Sequence, residues 1–152
     1  MSTVAALIIS SVAASAGELT PTIVGAPDAP IRLERAKILN VAADEPPVLL
    51  YAATNPTDQE FENFTVIAFI FDAQGTLKAR QIAPGRHMLE KRSTKYSTMV
   101  LDGSPVTATD LIVVGVNQAL RVGTDKWWHT ELEQAAKEAV KRPAKKERPS
   151  PY

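Results

Sequence analysis

The amino-acid sequence predicts an all-β protein, a β-sandwich of six to seven strands closed by one C-terminal amphipathic helix. Three observations lead there. Between Ile31 and Leu120, short β-branched and aromatic runs recur at roughly even spacing, separated by turn residues rather than by helical periods. One of these runs, Phe64 to Phe71 (FTVIAFIF), is apolar on both faces, as a central strand covered on both sides must be. After Gly123 the apolar period lengthens from two residues to that of a helix.

In chain order, residues 4–14 (VAALIISSVAA) form an uncharged apolar run too short to span a bilayer. Ala14-Ser15-Ala16 follows, the small-x-small pattern of a signal-peptidase site, so residues 1–16 are expected to be a signal peptide and the mature chain to begin near Gly17. A positively charged leader is missing, the first basic side chain being Arg32, and the competing reading is a buried strand or short helix. Residues 17–30, with prolines at 21, 27 and 30, read as an extended linker or an edge-strand leader, which places the start of the folded part near Ile31.

The β-sandwich domain is expected over residues 31–123. In Ile31 to Leu39, Ile31 and Leu33 share one face while Ala36 and Ile38 fall on the other, which predicts a β-bulge near Arg35. Val48 to Thr54 forms a second strand, left through Asn55-Pro56-Thr57-Asp58. In the third, Phe64, Val66, Ala68 and Ile70 point one way and Thr65, Ile67, Phe69 and Phe71 the other. Asp72-Ala73-Gln74-Gly75 turns the chain into Thr76 to Ala83, which alternates polar and apolar as a half-exposed hairpin partner does. Lys95 to Leu101 and Leu111 to Leu120 complete six strands, with a candidate seventh around Arg86 to Glu90. Residues 124–142 hold the Trp-Trp segment and the helix. Thr130 and Glu133 have capping-box spacing, Leu132, Ala135, Ala136, Ala139 and Val140 make the apolar face, and Glu133/Lys137 and Glu138/Arg142 are i,i+4 pairs. At about a dozen residues such a helix is marginal alone, so it should dock on the outer face of the Phe64 to Phe71 strand. A dimer covering that face is the rival arrangement. Residues 143–152, with three prolines and three basic residues, are expected to form a disordered basic tail.

The strand series YAATN, FTVIAFIFDAQG, TLKARQI and LIVVGV resembles the FxLYD-type immunoglobulin-like or fibronectin-III-like domains of bacterial envelope proteins. Phe69-Ile70-Phe71-Asp72 with Gly75 carries the resemblance, which covers residues 31–120 and lacks the Tyr before the Asp. It implies that the β-sandwich of six to seven strands with its C-terminal helix is immunoglobulin-like or fibronectin-III-like and lies outside the cytoplasm, and it brings no catalytic residues with it.

The chemistry of the chain is sparse. With no cysteine, disulfides, thiolate metal sites and a cysteine nucleophile are excluded. His87 and His129 lack a second histidine or a carboxylate at ligand spacing, so no metal site and no cofactor are expected. Gly103-Ser104-Pro105 lacks the second glycine of a nucleophile elbow, and no glycine-rich phosphate loop occurs. Asp58, Glu60 and Glu62 cluster without the spacing of a calcium loop, and read as a solvated loop. Asn63-Phe64-Thr65 formally fits a glycosylation sequon. Trp127 and Trp128 hold all the tryptophan of the chain, and neighbours on an extended segment face opposite ways. The favoured expectation is that both rings pack the helix start onto the sheet; the alternative is one ring under the helix and the other exposed as a binding anchor.

The 17 basic and 17 acidic residues cancel, which excludes a uniformly basic nucleic-acid-binding body. Residues 137–152 nevertheless carry six basic and two acidic groups. The function expected is that of a non-catalytic periplasmic or secreted module that binds a protein or envelope component through a sheet edge or Trp127 and Trp128. The alternative is a cytoplasmic protein whose basic tail contacts nucleic acid.

Overall fold

The computed structural model describes residues 17–41 and 44–141. The signal segment 1–16, the tail 143–152 and the Glu138/Arg142 pair expected from the sequence fall partly or wholly outside the described residues. The strands are β1 (Glu18–Leu19), β2 (Thr22–Ile23), β3 (Arg32–Leu39), β4 (Val48–Asn55), β5 (Phe61–Phe71), β6 (Leu77–Pro84), β7 (Ser93–Val100), β8 (Leu111–Arg121) and β9 (Trp127–His129), followed by helix α1 (Glu133–Lys141). One sheet runs β1-β3-β4-β7 and the other β2-β8-β5-β6, with β9 also on β8. The chain hairpins from β3 to β4, crosses to the β5-β6 hairpin, returns as β7 and crosses again to β8 and β9. Two facing sheets, antiparallel except where β2 joins β8, and linked by such crossovers, make an immunoglobulin-like sandwich with one helix.

The six longer strands are those read from the sequence; β1, β2 and β9 are additional. Among the described residues, strand structure is therefore present from Glu18, well before Ile31. β1 pairs antiparallel with the end of β3, whereas β2 pairs parallel with β8, so the proline-rich stretch crosses from one sheet to the other. Prolines suit this, since a short edge segment needs few backbone donors. The candidate seventh strand around Arg86 to Glu90 reduces to a single bridge between Leu89 and Phe61. The pairing of β3 with β4 shifts register between Leu33 and Arg35, where the broken alternation placed a bulge.

The core lies in two layers. Between the sheets, Leu33, Ile38, Leu49, Tyr51 and Met99 meet Phe64, Val66, Ala68, Ile70, Ile112, Val114 and Val116. On the outer face of the second sheet, Ile67, Phe69, Phe71 and Val113 are covered by Leu132 and Ala136, with Ala139 and Val140 alongside. The helix, then, covers the second face of β5, and that face gives no reason for a dimer. Burial of Phe64, Phe69 and Phe71 stabilises by roughly 1.5 to 3 kcal/mol each.

The helix differs from expectation at its start. Thr130 is still extended, its amide donating to the Asn117 carbonyl (3.0 Å), and no capping box forms. Pairing of β9 with β8 holds the chain straight past the local cap signal. Glu133 instead accepts from Lys137 (3.1 Å) and from Arg80 of β6 (2.6 Å), and these bonds, that from Lys137 foremost, hold its carboxyl below the usual glutamate range. Ala135 faces solvent, so the docked seam is narrower than the sequence suggested.

Buried polar groups close the loops. Asn55 is fully buried; its Nδ2 donates to the carbonyls of Gln59 (2.7 Å) and Glu90 (3.0 Å), and its Oδ1 accepts from the Thr57 amide and hydroxyl. One side chain thus ties the β4-β5 and β6-β7 connections together. Asp110 accepts from Lys78 (2.7 Å) and from the Thr107 amide (2.9 Å). Tyr51 is buried with a hydroxyl that makes no hydrogen bond. Burial pushes its pKa up, and the Ser97 hydroxyl across the strand pair offsets part of that without closing a bond.

Candidate functional site

β9 exists because a left-handed turn brings the chain back onto β8. Gly123 has a φ of 85°, a conformation that costs glycine little, and the Thr124 amide and hydroxyl both bond to the Arg121 carbonyl (3.2 and 2.9 Å). The Val122 amide, donating to the Glu60 carbonyl (2.9 Å), fixes the turn against the start of β5. The returning strand then pairs Trp127 with Leu120, Trp128 with Ala119 and His129 with Gln118.

This register separates the two indoles. Ala119 points into the sandwich, so Trp128 opposite it packs half-buried against the interior, and its Nε1 donates to Asp28 Oδ2 at 3.2 Å. Trp127 faces the other way and is 42% exposed. The two rings do not both pack the helix start onto the sheet, the arrangement the sequence favours: one is exposed, as in the alternative, and the buried one belongs to the end of the sandwich. Leu132 and Ala136, not Trp128, pack beneath the helix, because β9 ends before α1 begins.

A groove of about 650 Å³ opens at this end. Asp28, Pro30, Phe61, Arg121, Asp125, Lys126 and both tryptophans line it. Aromatic surface is thereby combined with charges of both signs, and among the described residues Arg121, Asp125 and Lys126 form no ion pair. Such a surface can stack a flat or apolar moiety on Trp127 and hydrogen-bond polar groups beside it. Asp28 was not singled out from the sequence. It lies 100 residues from Trp128, in a proline-rich stretch with no motif, and only the fold brings the two together.

The remaining candidates stay apart. His87 and His129 are both exposed, one in the β6-β7 connection and one on β9. Asp58 pairs with Arg92 (2.8 Å) in a solvated loop, and no group of three or more His, Asp or Glu among the described residues could hold a metal ion. No helix among them is long and apolar enough to cross a membrane.

Fold and groove define an immunoglobulin-like β-sandwich with an aromatic groove at one end. Compared with known proteins, the chain matches no family model, no curated protein and no solved structure.

Proposed function

We propose that this protein is a non-catalytic binding module, working in the periplasm or outside the cell, that takes a protein or envelope component in the groove at Trp127 and Trp128. The observation that carries the reading is the placement of Trp127. A large indole is left in water at the mouth of a groove whose unpaired charges include Arg121 and Lys126. Tryptophan and arginine are the residue types that most often dominate binding energy at interfaces. The compartment rests on the processing pattern at Ala14-Ser15-Ala16 and on the resemblance of residues 31–120 to envelope domains.

Because both tryptophans line the groove, intrinsic indole emission reports on this site alone. Purified chain titrated with solubilised cell-wall polymer or isolated envelope proteins should show saturable emission changes. Trp127→Ala should weaken that binding by at least about tenfold, or 1.4 kcal/mol. Unchanged binding by Trp127→Ala would place recognition elsewhere. A mature chain that keeps Met1, read by mass spectrometry, would overturn the export.

A further inference from the structure

We propose that the free edge of β7 pairs antiparallel with the same edge of a second copy of this chain, joining two four-stranded sheets into one across a two-fold axis centred on Tyr96.

The hydrogen-bond pattern fixes which groups are on offer. The Leu101 amide donates inward to the Pro47 carbonyl (2.9 Å), and the Val100 carbonyl accepts from the Gln81 side chain on the far side (2.7 Å). Alternation along an antiparallel strand then turns the N–H and C=O of Thr94, Tyr96 and Thr98 away from β4. None of these groups has a partner among the described residues. Natural edges are protected by proline, bulges or unpaired lysines, and β7 has none of these. Its pairing with β4 runs without a register shift, and its one charge, Lys95, is neutralised by Glu90 (2.8 Å). The neighbouring edge β6 is different. The Gly85 amide bonds inward to Phe64, so Lys78, Arg80, Ile82 and Pro84 face outward, and Pro84 supplies a natural block.

A second copy fits this edge better than an arbitrary strand because the edge is self-complementary. With Tyr96 opposite Tyr96, Thr94 meets Thr98 and about six main-chain hydrogen bonds close. Lys95 then faces Ser97 and not another Lys95, so no like charges meet. The cations of the adjoining edge are neutralised within each chain, Lys78 by Asp110 and Arg80 by Glu133, and the whole chain has zero net charge. Tyr96, 60% exposed, is also pre-positioned. The Arg35 guanidinium lies 5.7 Å from its ring centroid and donates to its hydroxyl (3.0 Å), which lowers the entropy lost on pairing.

Sedimentation equilibrium of the full chain over a concentration series should show a monomer–dimer equilibrium. Thr98→Pro removes an outward N–H and no bond within the chain, and should raise the dimer Kd by at least about tenfold. Ile82→Pro, the equivalent change on β6, should leave the Kd unaltered. Tyr96→Lys should abolish the dimer by setting two ammonium groups face to face, and serves if the proline variant fails to fold. Tyr96→Cys provides the only thiol in the chain and should oxidise to a covalent dimer. A chain that stays monomeric throughout, as it would if the edge accepted only a strand of another protein, overturns the proposal. So does a dimer indifferent to both Thr98→Pro and Tyr96→Lys.

Discussion

Gly115 sits on β8 opposite Ile67, at the point where two other segments cross the outer face of the sheet. A Cβ there would lie 2.5 Å from the Val24 carbonyl oxygen and 2.8 Å from Leu132 Cδ1. The leucine methyl can rotate away. The Val24 backbone cannot, because its amide donates to the Val114 carbonyl (2.9 Å) and the preceding residues pair with Val113 and Val114. Restoring an ordinary carbon–oxygen contact of about 3.4 Å needs a shift of roughly 0.9 Å. Overpacking of this kind costs about 1 to 3 kcal/mol. At roughly 4 °C per kcal/mol for a domain of this size, Gly115→Ala should lower Tm by about 4 to 12 °C. Differential scanning calorimetry reads this directly, with Gly25→Ala as the control, since nothing lies within 4 Å of a Cβ at that position. Hydrogen exchange should quicken first at Val24 and in α1. A Tm within about 1 °C of the parent would refute the close crossing of β2 and Leu132 over β8.

Two further substitutions test the buried polar groups. Tyr51→Phe removes a hydroxyl that has no partner, and should be neutral or stabilise by up to about 1 kcal/mol in denaturant unfolding; a loss beyond that would reveal a bond the hydroxyl makes. Burial raises the pKa of Asp110, but the bonds from Lys78 and the Thr107 amide outweigh it and hold the folded-state value below the usual aspartate range. A depressed folded pKa adds stability that is present above the unfolded pKa of about 3.9 and is lost as pH falls through the folded value. Asp110→Asn should therefore cost about 1 to 3 kcal/mol at neutral pH, with the gap from the parent closing in acid. A gap that persists unchanged below the folded pKa would show that the carboxylate charge is not what matters.

Much of the sandwich was legible because its signals are local. The two-sided apolarity of Phe64 to Phe71 required cover on both faces, and the single break in alternation within Ile31 to Leu39 located the bulge between Leu33 and Arg35. Asp72 and Gly75 specified the β5-β6 turn, in which Asp72 Oδ1 accepts from the Gln74 and Thr76 amides and Gly75 has a φ of 86°. The candidate groove was half legible. Tryptophans 127 and 128 stood out by composition, whereas Asp28, Phe61 and Arg121 carry no local mark and reach the groove only through long-range pairing.

The sequence by itself determined the fold class, the six long strands, the helix and the opposite orientation of the two indoles, since period, turn residues and side-chain alternation act within a few residues. Only the tertiary structure decided that β1 and β2 join different sheets, that β9 overrides the Thr130 cap, and that Trp128 packs against the sandwich end while Leu132 seals the helix. Each of these compares a weak local preference with hydrogen bonds or buried area supplied by residues far along the chain, and the distant contribution is the larger.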